Sequence, residues 1–307
     1  MTRSRTATRL PLDRPARVLN RPARLLARRG RALGVALALG ALLASGATMT
    51  LAAPAVAATG DVKCPSTDCV RIAPAAGSPV AVAPDNAGAV YLAYSGGDLL
   101  RLDLATGALD TVTTGLGNLR GVAVADGNAY ITSFDGTLQQ VTLATGSRRT
   151  LAAGLPALFG VARFGTTTYA TDTSGEIIAV PDGGTARVVT TGLGFSYGLA
   201  FDKAGLAYTA DMGIGRILQT NVATGTTRVL AGEAYEPTSI SVGGDGLVYF
   251  QVGDEVKRVN AATGVQSHVT DIVGINSFSF SLATSGDAYT TGSGDDGLWR
   301  IAGLTSR

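Results

Sequence analysis

Between residues 70 and 303, apolar and polar positions alternate in short runs, each broken by Gly, Asp or Asn. A two-residue period of this kind is that of a half-buried strand. The runs "AVYLAY", "NAYITS", "TTYATD", "LAYTAD", "LVYFQV" and "DAYTTG" read as strands. Their tyrosines, Tyr91, Tyr130, Tyr169, Tyr208, Tyr249 and Tyr289, follow at intervals of 39, 39, 39, 41 and 40. Before each lies another run ("SPVAV", "RGVAV", "FGVAR", "YGLAF", "TSISV", "SFSFS"), set off by turn residues such as "ADGN", "DKAG" and "GGDG". After each tyrosine run come two further runs. They are joined by Ala-Thr-Gly at Gly107, Gly146, Gly225 and Gly264, by a worn equivalent at Gly184, and by Gly303 near the C-terminus. Glycine supplies the positive φ that a short hairpin requires.

Each unit of about 40 residues therefore holds four strands, here A to D, with the tyrosine on B. Six such units predict an all-β fold, a six-bladed β-propeller with four-stranded antiparallel blades. A helical solenoid needs apolar residues at helical spacing and few glycines, and a Rossmann domain needs helices between its strands. Neither pattern occurs. Closure of the ring is also legible. Val112, Leu151, Val189, Leu230 and His268 each stand eight residues before an A-strand start, at Arg120, Phe159, Tyr197, Thr238 and Asn276. The first A strand starts at Ser78, and eight residues earlier stands Val70 in "CVRIAP". The last unit ends with "LTSR", too short for a D strand. Residues 70–73 are therefore expected to complete the sixth blade and leave no open edge at the seam.

"LAFDKAGLAYTADMGIGRILQTNVATG" and "GVAVADGNAYITSFDGTLQQVTLATG" share an A strand of the form G-[LV]-A-[VF], or a close variant, then a turn, the B-strand Tyr, an Asp or Asp-containing loop and an apolar C strand. In this the chain resembles NHL-type repeats, within the six-bladed class that includes gluconolactonase-like and streptogramin-lyase-like proteins. The resemblance spans about residues 70–303 and is specific for architecture. WD-repeat signatures are absent. It implies that the A strands line a central channel and that ligands sit at one mouth, near the A-strand starts and the B–C loops. For gluconolactonase-like members it implies a divalent cation held by carboxylates and an Asn. For streptogramin-lyase-like members it implies a histidine with metal-assisted acid–base work.

Composition changes the picture at the N-terminus. Ten of the 25 basic residues, all Arg, precede Leu33, against a single acid, Asp13; the remainder carries 15 basic and 22 acidic residues, a net of −7. The basic character belongs to the leader, and nucleic acid is set aside. No charge falls between Arg31 and Asp61, the middle is apolar with small residues, and "PAVAA" offers a cleavage site near Ala57 or Ala58. Residues 1–58 read as an export signal and 59–307 as one secreted propeller domain. The alternative is an uncleaved leader anchoring the protein to a membrane. Export favours oxidation, so Cys64 and Cys69 in "KCPSTDC" are expected to pair as a local staple before the closing strand. A loop this short contributes roughly 2 kcal/mol in the chain-entropy treatment.

Candidate chemistry is sparse. The predicted mouth ring is Ser78, Arg120, Phe159, Tyr197, Thr238 and Asn276, which holds an arginine, two aromatics and no carboxylate. Phe195 and Tyr235 widen an aromatic rim, and aromatics with Arg are what binding surfaces use. The sole histidine, His268, falls on an outer strand, out of reach of a substrate, and its single count also removes a Ser-His-Asp triad. Asp172 and Asp211 follow their B-strand tyrosines by three residues; they read either as an acid–base pair or as acceptors bracing the B–C loops. Trp299 and the repeated tyrosines read as blade packing, and "MGIGRI" opens no helix that would bind phosphate. The expectation is a monomeric binding module for a small molecule, glycan or protein at the mouth, without catalytic residues or cofactor. The alternative is a divergent metal-dependent lactonase, hydrolase or lyase, with a calcium-like cation at Glu236, Asn118 and Asn276. A scaffold within a cell-surface complex is a third reading.

Overall fold

The structure is a computed structural model and describes residues 69–74, 79–232, 234–272, 277–292 and 297–307. The predicted leader, Cys64, Ser78 and Asn276 lie outside the described residues, and with them the expected Cys64–Cys69 pairing. Among the described residues there are twenty-four strands, β1 to β24, and one short 3-10 helix at Leu304–Ser306.

The strands form six sheets of four, each antiparallel throughout. The six A strands are β2 (Pro79–Pro84), β6 (Leu119–Ala125), β10 (Leu158–Phe164), β14 (Ser196–Phe201), β18 (Pro237–Val242) and β22 (Ser277–Leu282). Each packs on the next, and β22 packs on β2, so the contacts run in a complete circle. The chain is a six-bladed β-propeller. The sixth blade has the order β1-β24-β23-β22, in which β1 (Cys69–Pro74) pairs with β24 (Gly297–Ile301) from Cys69↔Ile301 to Pro74↔Gly297. The N-terminal segment thus supplies the outer strand that the C-terminus lacks, as its spacing predicted.

The repeated tyrosines explain why the period is kept. The described core falls into six apolar clusters, one at each seam between neighbouring blades, and each holds a single repeat tyrosine. All six rings are buried. Their hydroxyls reach the polar ends of the strands: Tyr208 donates to Asp202 Oδ2 at 2.9 Å and accepts from Gln219 Nε2 at 2.8 Å, while Tyr249 donates to Asp245 Oδ2 at 2.7 Å. Burial pushes the Tyr208 and Tyr249 hydroxyls up to about 12, with the neighbouring aspartates adding to it.

The Ala-Thr-Gly turns behave as their sequence suggests. The glycine N–H closes onto the carbonyl four residues back, as in Gly107 to Asp103 and Gly225 to Asn221, with φ of 74° and 75°. The third blade departs from this. There positive φ falls on Gly183 (69°) instead of Gly184, whose N–H closes onto Pro181 only three residues back. The closing bond spans one residue fewer, because Pro181 and the Asp-Gly-Gly that follows turn the chain without the longer Thr-capped turn.

Candidate functional site

Every A strand carries a β-bulge at its start, in the same place in all six blades: the register shifts between Pro79/Ala81, Leu119/Gly121, Leu158/Val161, Ser196/Gly198, Pro237/Ser239 and Ser277/Ser279. A bulge inserts one residue without a partner and re-aims its side chain. The bulged positions are Val80, Arg120, Phe159, Tyr197, Thr238 and Phe278. Four of the expected mouth residues coincide with them. In the first and sixth blades the bulge falls two residues later than the sequence register placed the strand starts at Ser78 and Asn276, because the preceding D strands bulge at Ile72 and Val269 and not at Val70 and His268, the residues from which the register is counted.

After each bulge comes a small residue: Ala81, Gly121, Gly160, Gly198, Ser239 or Ser279. The reason is close approach. A Cβ on Gly121 would overlap the Phe159 carbonyl oxygen and sit 2.7 Å from Thr132 Oγ1; one on Gly198 would sit 2.9 Å from the Ile240 backbone nitrogen. The glycine of the G-[LV]-A motif therefore lets neighbouring A strands converge around the axis. B-strand threonines latch the bulges across the seams. Thr132 Oγ1 donates to the Phe159 carbonyl, and Thr171 Oγ1 donates to the Ser196 carbonyl at 2.9 Å. The mouth loops are tied in turn by backbone bonds, from Phe134 N–H to Asn118 O at 2.7 Å and from Met212 N–H to Phe195 O at 2.9 Å.

The converging strands enclose a central cavity of about 420 Å³, within the range of small-molecule sites. Arg120, Tyr197 and Thr238 line it, with Val80 and Ser239; Phe159 does not. Phe159 is buried and forms the footing of an aromatic cluster, with its ring 4.5 Å from Tyr197, 5.0 Å from Phe195 and 6.0 Å from Phe134, centroid to centroid. Phe134 and Tyr235 are exposed at this face, at 45% and 76%.

Charge in the cavity is one-sided. Its lining includes Arg120 and Arg163 and, among the described residues, no Asp or Glu. Arg163, at the far end of its A strand, is committed. It donates to Asp182 Oδ1 at 2.8 Å and lies 4.8 Å over the Tyr130 ring, and this pairing holds the Asp182 carboxyl below its ordinary value. Arg120 is not committed. Its guanidinium lies 5.0 Å over the Phe134 ring and has no hydrogen bond or ion pair among the described residues, and its Nε is buried. Thr238 Oγ1 and Ser239 Oγ are likewise buried without a partner. Native interiors rarely leave such atoms unmatched.

The other expected residues fall elsewhere. Asp211 is buried and fully engaged: Oδ1 accepts from Phe195, Gly213 and Ile214 N–H, and Oδ2 accepts from Arg216 Nε at 3.1 Å and Nη2 at 2.7 Å. Asp172 Oδ1 accepts from Ser174 and Glu176 N–H at 2.9 Å, turning its own B–C loop. Glu236 and Asn118 have exposed side chains, and Glu236 adopts the left-handed region at φ 47°. His268 is exposed on its outer strand, 2.7 Å from Asp271. The described residues at the mouth do not fit a divalent cation. A hard cation needs several converging oxygens, and this ring presents an unneutralised guanidinium among valine, aromatic and hydroxyl groups. Among the described residues, no three His, Cys, Asp or Glu side chains cluster in a way that could hold a metal.

Val80, Phe134 and Ser239 were not singled out by the sequence. The small-residue position after the bulge is the signal that could have found Ser239. No local pattern marks Phe134.

No family model and no curated protein matches the chain. Solved structures do. A gluconolactonase from Xanthomonas campestris superposes with a TM-score of 0.66 at 16% identity, covering 76% of this chain and 89% of that one. Streptogramin B lyase superposes at 0.62 and 13%, covering 76% and 96%. An auxiliary nutrient binding protein from Bacteroides thetaiotaomicron superposes at 0.62 and 12%, covering 74% and 69%. At these identities the likeness is one of fold, and the chain is a six-bladed β-propeller similar in architecture to the streptogramin-lyase and gluconolactonase-like proteins.

Proposed function

We propose that this protein is an exported propeller that binds a small anionic ligand at the mouth of its channel, without chemistry of its own. Arg120 carries the reading. A guanidinium that faces a cavity, lies on an aromatic ring and has no counter-ion is poised for a carboxylate or similar anion. The surroundings sharpen the selectivity. The chain after the leader is net negative, whereas the described lining of the channel carries Arg120 and Arg163 and no acid, which favours an anion there over the rest of the surface. The Thr and backbone bonds that pin the bulges pre-set the mouth, which lowers the ordering cost of binding. The sharing of this fold by a nutrient-binding protein is consistent with the reading. Cleavage near Ala57 or Ala58, a Cys64–Cys69 staple and a monomeric state complete the proposal for the mature protein.

The test is a thermal-melt screen of the mature protein against small organic acids, neutral glycans, and calcium, magnesium, manganese and zinc. A binder raises the midpoint by mass action, by the equivalent of about 2.7 kcal/mol at a hundredfold excess over Kd. The expected result is stabilisation by at least one acid, lost in Arg120→Ala and partly kept in Arg120→Lys. A response to metal alone, reversed by EDTA and abolished in Glu236→Gln, would instead favour a metal-dependent lactonase or lyase.

A further inference from the structure

Of the eight large apolar side chains exposed among the described residues, five are aliphatic ones on outer strands or C–D turns. The other three, Phe134, Ile214 and Tyr235, stand on mouth loops of the second, fourth and fifth blades. They belong to one surface. Phe134, Phe195 and Tyr197 rest on the buried Phe159 ring, and Phe195 meets Tyr197 at 5.1 Å. A Cβ on Gly213 would lie 3.5 Å from Phe195 Cβ, and one on Gly215 would lie 2.6 Å from the Ala234 carbonyl oxygen. The Ile214 loop therefore touches Phe195 on one side and the Tyr235 loop on the other. Arg120 stands at the opposite end of this apolar arc, 5.0 Å over the Phe134 ring. Glu236, next to Tyr235, holds a φ of 47° directly before Pro237, a conformation that a side chain and a following proline both disfavour. Strain of this kind gathers at ligand sites.

The channel below offers the opposite kind of surface. Each A strand is the last strand of its sheet, so its inner edge has no strand partner. Val82 N–H, for example, is met by a side chain of the neighbouring blade, Ser279 Oγ at 3.0 Å. An apolar body pushed down the channel would strip water from such edge groups, whereas on the arc it covers apolar surface. We infer that the anion is an elongated aromatic monocarboxylate lying on the rim, its carboxylate on Arg120 and its rings on Phe134, Phe195 and Tyr197. This rests on the anion-binding reading above and adds where the rest of the molecule goes. Each step from Arg120 to Phe134, Phe159 and Phe195 is 6.0 Å or less. The rings of the platform meet edge to face, at 81°, 73° and 79°, which suits a further flat ring more than an alkyl chain. A rigid body of fused or linked rings also loses little freedom on binding.

Calorimetric titration of the mature protein with acetate, benzoate, biphenyl-4-carboxylate and the saturated bicyclohexyl-4-carboxylate tests this. Biphenyl-4-carboxylate is expected to bind roughly tenfold more tightly than benzoate, the equivalent of burying about 60 Å² of its second ring. It should also bind about threefold more tightly than the saturated acid, through ring-on-ring packing. Phe195→Leu fills the same space without a ring face and should cut the biphenyl-to-benzoate ratio to about threefold; Tyr197→Leu is the second variant. Val265→Ser, at an equally exposed valine on a C–D turn, is the control and should leave the ratio as it is. If biphenyl-4-carboxylate gains nothing over benzoate, or the gain survives both leucine variants, the platform inference falls and the anion site stands. If no acid binds, or Arg120→Ala changes nothing, both fall.

Discussion

Gly121→Ala places one methyl group where two blades meet. No positive φ is involved; the constraint is purely one of space. The new Cβ would overlap the Phe159 carbonyl oxygen and lie 2.7 Å from Thr132 Oγ1 and 3.2 Å from Val161 Cγ1. Backbone and a short buried side chain cannot swing aside, so the second and third blades must separate. Overpacking of this kind costs about 1–3 kcal/mol. Moving the Phe159 carbonyl also breaks its bond from Thr132, worth about 1 kcal/mol. A total of roughly 2–4 kcal/mol corresponds to a fall in melting midpoint of about 5–15 °C for a domain of this size. Differential scanning fluorimetry measures it directly. Gly96→Ala is the control, because a Cβ there meets nothing within 4 Å and its φ is unremarkable; it should stay within a degree or two of wild type. Since Arg120 precedes Gly121 in the same bulge, anion binding should weaken along with stability. A Gly121→Ala protein that melts with the wild type would refute the argument that small residues set the spacing of the A strands.

The tyrosine seams predict an alkaline limit. Tyr208 and Tyr249 have folded values raised to about 12 from 10.0. Their contribution is therefore complete below about pH 10 and is lost as pH rises toward 12, where the unfolded chain ionises first. Melts across that window should fall steeply, and Tyr208→Phe with Tyr249→Phe should flatten the slope; a slope unchanged by the pair would show that burial at the seams is not its cause. Truncation to begin at Pro79 removes β1 and bares the edge of β24. Such a protein is expected to melt earlier and to self-associate in size-exclusion chromatography; an unaltered monomer would mean that closure by β1 adds nothing. Asp211→Asn takes the carboxylate from Arg216, whose side chain is 27% exposed and keeps some solvation, so a cost of about 1–3 kcal/mol is expected. Chemical denaturation measures that loss, and a stable variant with altered ligand binding alone would instead assign Asp211 to the ligand.

The sequence by itself determined the repeating unit, the number of blades and the closing strand. These depend on neighbours close along the chain: side chains alternate every second residue in a strand, a hairpin turn needs its glycine, and a blade's length recurs because each must meet an identical seam. Tyr91 to Tyr289 record that period. What the tertiary structure decided lies between residues far apart. The bulges at Val80 and Phe278 escape the count because a two-residue period does not mark which residue of a D strand bulges: the ladder puts it at Ile72 and Val269, where the count takes Val70 and His268. The turn at Gly183 escapes it because its closing bond reaches back three residues and not four. Phe159 reads as a lip residue in sequence and is buried because Phe134 from the preceding blade, and Phe195 and Tyr197 from the following one, close over it. That Arg120 has no partner among the described residues, and that the fifth blade stands opposite its own, depends on six strands converging on one axis. Residues more than a hundred positions apart are placed opposite one another only by closure of the ring, and a periodic sequence carries no mark of which side of the circle each unit will occupy.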